Sequence, residues 1–347
     1  MHSMADQITV LVAGVYSSGA INVIRSLRAA GCYRVLAVDS HEAPTGVFAA
    51  ERGFRLPEPA ADGCFGEALA ALCAREQVRI VLPGNSAYGQ HLMRCQEALQ
   101  QAGTMVLAGT LEFARLCANK WLTHLFIEQH NFPSLRTYLP LARDRAEAEI
   151  GYPMLVKPCE DPGNCPAIKV RTPKELDTCL EQNSTAGWGS VLQEYIGHEE
   201  GEFTATVLLS RAGGRVLATT IGRWLKTGSA RAFALEDHPA VRKVVEAQAA
   251  ASRSRGPLTF QGRVRDGRFY TFAINPRFAN PTMAYTLAGF NEVDAAVRHF
   301  LTGDAPVVPV LPPQVAVMFP EYRMIPADRY QTWCATNAVD GEPAPGR

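Results

Sequence analysis

The sequence has no excess of charge of either sign: 34 lysines and arginines face 34 aspartates and glutamates in 347 residues. That balance gives no reason to expect nucleic acid or an anionic membrane as a partner. No uninterrupted apolar run approaches the roughly 20 residues of a membrane span, and "MHSMADQ" lacks the apolar core of a signal peptide. A cytoplasmic protein is expected. The nine cysteines include no C-x-x-C pair, and their odd number argues against a disulfide framework and against a zinc ribbon. Cys159 and Cys165 have no histidine near them, and His124 and His130, six residues apart, do not share a helix face, so neither pair reads as metal ligands. There is no internal repeat, no complete G-x-G-x-x-G, and no Lys-Ser/Thr that would make a P-loop.

What is present is an ordinary soluble composition, 47% hydrophobic and 20% charged, in a chain long enough for two or three packed units. The first part alternates strand and helix signals. "ITVLVAG" is an apolar run ending in Gly14, and "SGAINVIRSLRAAG" follows with helical spacing and a glycine stop at Gly31. "YRVLAVDS", "VRIVLPG" and "TMVLAG" are further strands, with helices between them, closing near residue 112. This predicts an α/β unit with a doubly wound parallel sheet and ligands beyond the carboxyl ends of its strands. After it come short strands around "PMLVKP", "AIKVRT" and "SVLQEYI", then two long hairpins over Gly213-Gly214 and Asp266-Gly267. That second part reads as an α+β body on antiparallel strands. "VDGEPAPGR" is expected to be a loose tail.

Gly14, Gly19 and Asp39 resemble a dinucleotide fingerprint only loosely, and a tight turn with close helix packing explains the glycines as well. "GNSAY" either lines a ligand site through Asn85 and Ser86 or turns the chain. Lys120 lies on an otherwise apolar helix, and Lys157 ends an apolar strand just before "CEDPGNCPA", a loop of the length and composition to cover a phosphate. Two ammonium groups converging there would suit phosphate oxygens. Gln193, Glu194, Tyr195 and Ile196 form an edge whose backbone can read a base, and Glu202 follows where a carboxylate can bind a ribose hydroxyl. In "GRFYTFAINPRF", alternation puts Tyr270, Phe272 and Ile274 on a core face and Thr271, Ala273 and Asn275 on the other. Asn275 and Arg277 then either meet a ligand or finish a turn.

The ordered set Lys120, "YPMLVKP", "VLQEYI" with "GEFTATVLL", "LKTGSARAF", "RGPLTFQG", "FAINPRF" and "AGFN" resembles the ATP-grasp superfamily. The branch it looks most like is the carbamoyl phosphate synthetase large-subunit-like ligases, over roughly residues 8 to 300. The resemblance implies a pre-ATP-grasp α/β domain over residues 1–112 and a two-subdomain ATP-grasp domain over 113–305. Residues 306–347 would be a C-terminal strand region and tail. It further implies ATP and Mg2+ as cofactors, small-molecule carboxylate and amine substrates, and leaves a homodimer open.

By position, Lys120 and Lys157 would contact the nucleotide phosphates. Gln193, Glu194, Tyr195 and Ile196 would flank adenine, and Glu202 the ribose. Gln261 and Asn275 would be magnesium ligands, and Lys226, Arg231 and Arg277 would stabilise the acyl phosphate or the substrate carboxylate. The family carries a metal-bridging glutamate on the strand before Asn-Pro-Arg, where this sequence has Ala273. The site then runs with fewer metals, or another acid compensates, or the protein binds nucleotide without ligating. An NAD-dependent oxidoreductase built on residues 8 to 112 is the remaining alternative.

Overall fold

In this computed structural model, residues 7–42, 44–59, 63–160, 167–197, 201–227, 230–319 and 324–340 are described, without the side chains of 226–231. The first sheet is built from β1 (Ile8–Ala13), β2 (Tyr33–Asp39), β3 (Arg52–Arg55), β4 (Ile80–Pro83) and β5 (Met105–Val106), parallel to one another in the order β3-β2-β1-β4-β5. Val10, Leu11, Val12, Val35, Leu36 and Val38 are all fully buried, as strands covered by helices on both faces must be. The helix Ser18–Ala30 begins where the Ser17 side chain accepts from the Ala20 amide, and it ends at Gly31 in the left-handed region at φ 72°.

The second body has two antiparallel sheets. The smaller comprises β6 (Thr137–Tyr138), β7 (Met154–Pro158), β8 (Ile168–Val170) and β9 (Ser190–Glu194), in the order β6-β9-β7-β8. The larger comprises β10 (Glu202–Leu209), β11 (Val216–Thr227), β12 (Ala230–Leu235), β13 (Gly256–Arg265), β14 (Arg268–Asn275) and β15 (Gln314–Met318), in the order β14-β13-β10-β11-β12-β15. Its inner face packs Phe203, Val207, Leu258, Phe260 and Phe269 against Val241 and Val245 of the helix Pro239–Ala251. The hairpin joining β13 to β14 turns at Asp266 and Gly267, both at positive φ, as the Asp-Gly pair predicts.

Two expectations are corrected. Strict alternation along β14 fails, because the register with β13 shifts between Gln261, opposite Ala273, and Gly262, opposite Thr271. Phe272 is the extra residue of a bulge. Phe269, Thr271 and Ile274 therefore face the core, with the Thr271 hydroxyl donating to Gln248, while Tyr270 and Phe272 turn to the opposite face. Ala273 and Asn275 stay on that opposite face, paired with Gln261 and Thr259. The second correction concerns the expected tail. Val339 and Asp340 lie in β16 (Ala338–Asp340), which pairs antiparallel with β3, and residues 341–347 lie outside the described residues. Trp333, on the preceding helix Ala327–Thr336, is buried in the first core and donates its indole N–H to the Glu42 carbonyl.

Candidate functional site

The smaller sheet meets the β13–β14 end of the larger one, with Lys157 beside the Phe272 ring, Arg265 on Glu194 and Arg263 on the Ile196 carbonyl. Lys157, near the end of β7, lies where they meet with only 7% of its surface exposed. Its ammonium donates to Gln193 Oε1 at 2.6 Å and lies 5.2 Å from the Phe272 ring centroid. Gln193, on neighbouring β9, is held in turn by donating its amide to the Thr137 hydroxyl at 3.0 Å. Lys120 is brought close by the backbone. Its amide donates to the Cys159 carbonyl at 2.7 Å, Asn119 bridges Glu160, and the Asn119 side chain caps the helix Lys120–Gln129. Lys120, Thr123, Gln193, Thr271 and Phe272 line one small cavity. A larger opening of about 540 Å³ lies beyond His124, between Trp121, Arg136 and Tyr138, and contains none of the sequence-predicted residues.

Burial pushes the Lys157 ammonium down to about 8, helped by the positive charges of Lys120 and Arg263 and opposed by Glu202. A cation held this way is stabilised by an anion brought from outside.

At the end of β9, the Glu194 carboxylate accepts from Arg265 at 2.5 Å, and its amide donates to the Arg136 carbonyl. Lys169 lies 3.6 Å above the Tyr195 ring. The Ile196 carbonyl accepts from Arg263 Nη1 at 2.7 Å, and Glu202 lies 3.5 Å from Arg263 Nη2. Arg263, which the sequence reading passed over, is thus the residue that joins the segment after β9 to Glu202 at the start of β10. The signal that finds it is the alternation itself, since it stands two residues after Gln261 on the same strand face.

At the other end, Gln261 Oε1 accepts from Asn275 Nδ2 at 3.5 Å, and Asn275 Oδ1 accepts from Ser86 at 3.4 Å. Asn85 caps the helix Ser86–Arg94 and donates to the Gly14 carbonyl, which makes it a turn residue. Gln261 and Asn275 supply only neutral amide oxygens, and among the described residues no group of three histidine, cysteine or acidic side chains is placed to hold a metal ion. That donor set does not fit a resident Mg2+, which favours anionic oxygen.

Arg277 donates to the Phe278 carbonyl at 2.9 Å and pairs with no carboxylate of the described residues; burial lowers its pKa, the Tyr16 ring opposing. Lys226 and Arg231 face each other in the β11–β12 register, with their side chains outside the described residues. So does most of the expected phosphate loop, residues 161–166.

The oxidoreductase reading loses its acid. Asp39 is fully buried and accepts from the Val15 amide, the His41 amide and Tyr88, so it fastens the turn after β1 instead of facing a ribose. Gly14, at φ 82°, is required because a Cβ there would come within 2.5 Å of Asn85 and Tyr88.

This architecture, a parallel domain followed by two antiparallel sheets that meet at Lys157 and Phe272, is the ATP-grasp fold. Solved structures with it include the L-amino acid ligase from Bacillus licheniformis, with a TM-score of 0.65 at 17% identity over 86% of this chain and 75% of that one. The N5-carboxyaminoimidazole synthetase from Staphylococcus aureus has a TM-score of 0.69 at 15% identity over 89% of this chain and 81% of that one. A carboxyaminoimidazole ribonucleotide synthase from Aspergillus clavatus, complexed with ATP, has a TM-score of 0.65 at 15% identity over 90% of this chain and 82% of that one. No protein-family model and no curated protein sequence matches the chain.

Proposed function

We propose that this protein is an ATP-dependent ligase that joins a small-molecule carboxylate to an amine or ammonia. The observation that carries the proposal is Lys157. A buried ammonium fixed by Gln193 and repelled by Lys120 is a poor structural group and a good phosphate ligand. The similarity to ligase structures, one of them an ATP complex, supports the same reading.

In this reading, the substrate carboxylate oxygen attacks the γ-phosphorus and the bond to ADP breaks, giving an acyl phosphate. The amine nitrogen then adds to the acyl carbon, phosphate leaves with its bonding pair, and the nitrogen loses a proton. Lys120 and Lys157 hold the phosphates in line. Arg277, whose guanidinium has no carboxylate partner among the described residues, faces the charge that develops on transfer. Lys226 and Arg231 share that task by position. Gln261 and Asn275 contact magnesium only as it arrives on the nucleotide, and no step is assigned to the metal.

A second reading, nucleotide binding without ligation, is favoured by Ala273 opposite Gln261, which leaves the metal side without a carboxylate. Calorimetric titration of Lys157→Ala with MgATP tests the site common to both. Loss of one charge-assisted phosphate contact weakens binding by about 1.5–3 kcal/mol. Unchanged affinity in a folded variant refutes the site, and phosphate release with candidate acids separates the two readings.

A further inference from the structure

Arg263 leaves β13 and crosses to the segment after β9. Its side chain is only 12% exposed. Nη1 donates to the Ile196 carbonyl at 2.7 Å and reaches the Gly197 carbonyl at 3.5 Å, Nη2 is 3.5 Å from Glu202, and the guanidinium lies 5.9 Å from the Phe272 ring centroid. Nε is a buried donor with no hydrogen-bond partner among the described residues. A guanidinium is flat, carries N–H donors on its edge, and fits beside an aromatic ring. A purine with an exocyclic amine offers the same features: a planar body to lie against Phe272, and an N–H for the Ile196 carbonyl. A base placed where the nucleotide reading puts it would need the acceptor that Arg263 already holds.

We infer that Arg263 is a built-in competitor for the nucleobase, so that this site grips a nucleotide by its phosphates and gains little from its base. The inference rests on the nucleotide reading proposed above. Admitting a base requires the guanidinium to leave the Ile196 carbonyl and Glu202, and the charge-assisted contacts surrendered there offset those the base makes. The buried Nε–H marks the arginine as incompletely satisfied where it lies, which keeps the exchange within reach. The consequence is a specificity set by the polyphosphate end, with weak discrimination among bases.

The probes are MgATP and magnesium tripolyphosphate, which has the phosphate chain and no base, titrated into the full chain by calorimetry. Removing Arg263 also relieves Lys157 of one neighbouring charge. That effect acts on both probes, so the readout is the ratio of their affinities. Wild-type protein is expected to bind the two within about threefold of each other, and Arg263→Met to prefer MgATP by at least about tenfold. Arg263→Lys keeps the charge but loses the flat fork, and the ratio is expected to rise in it as well. A wild-type preference for MgATP of tenfold or more, or a ratio unchanged in both variants, overturns the inference and leaves the nucleotide site standing. Failure of both probes to bind any folded form overturns the nucleotide site and the inference together.

Discussion

Replacing Lys157 by methionine should make the protein more stable and less able to bind nucleotide, and the stability change carries a pH signature. Burial and neighbouring cations lower this ammonium from an ordinary 10.5 to about 8. At about 1.4 kcal/mol per tenfold change in proton affinity, holding the charge costs the folded state on the order of 3 kcal/mol below pH 8. Methionine has similar length and no charge, so it removes that cost, but it leaves Gln193 Oε1 without its donor, a loss of about 1–2 kcal/mol. The net expectation at pH 7 is a gain of about 1–2 kcal/mol. Between pH 8 and 10.5 the unfolded chain keeps the proton that folded wild type has released, so wild-type stability rises with pH across that window. The ordering of variant and wild type therefore reverses by pH 10.5, where only the lost hydrogen bond remains. Urea unfolding of both proteins at pH 7 and at pH 10 reads this as a change in midpoint at constant slope. A variant that is less stable at pH 7, or a difference that does not move with pH, refutes the account of Lys157 as a strained cation.

Arg277→Met is expected to lower turnover far more than MgATP affinity, because charge stabilisation at that position counts mainly in the transition state; steady-state kinetics beside calorimetry checks this, and equal losses in both make Arg277 structural. Ala273→Glu places a carboxylate beside Gln261 on the face of β14 that carries Asn275, and should lower the magnesium concentration needed for ATP binding. Titrating magnesium at fixed ATP reads the shift. A gain of turnover from zero identifies a chemistry that had been lost, a fall identifies a site rebuilt around fewer metals, and an unchanged magnesium dependence refutes the strand register.

The parts of the fold that follow from local chemistry were legible in the sequence. The glycine stop at Gly31 after the helix Ser18–Ala30, the Asp266-Gly267 hairpin, and the apolar runs of β1 and β2 all mean what they say. Convergence of Lys120 on Lys157 was legible only through the family resemblance, since it depends on an amide-to-carbonyl bond between residues 39 positions apart (159 − 120). The Phe272 bulge was not legible, because one extra residue reverses the facing of everything before it without altering composition. Arg263 was passed over for a related reason. In "GRVRDGR" an arginine reads as a solvated strand residue, and only the approach of Ile196 and Glu202 from elsewhere in the chain shows that it is enclosed.

The pairing of β16 with β3 makes the first sheet depend on residues synthesised long after it. Trp333 and the Glu42 carbonyl it holds are 291 positions apart, and the whole second body is translated between them. On the ribosome, β1 to β5 therefore emerge with the outer edge of β3 uncovered and the Trp333 slot in the first core unfilled. Such an edge is open to pairing with other chains until its own partner arrives. A ribosome that stalls before residue 333 would release a polypeptide carrying every residue of the proposed nucleotide site, yet with an open strand edge for chaperones, proteases or other nascent chains to find.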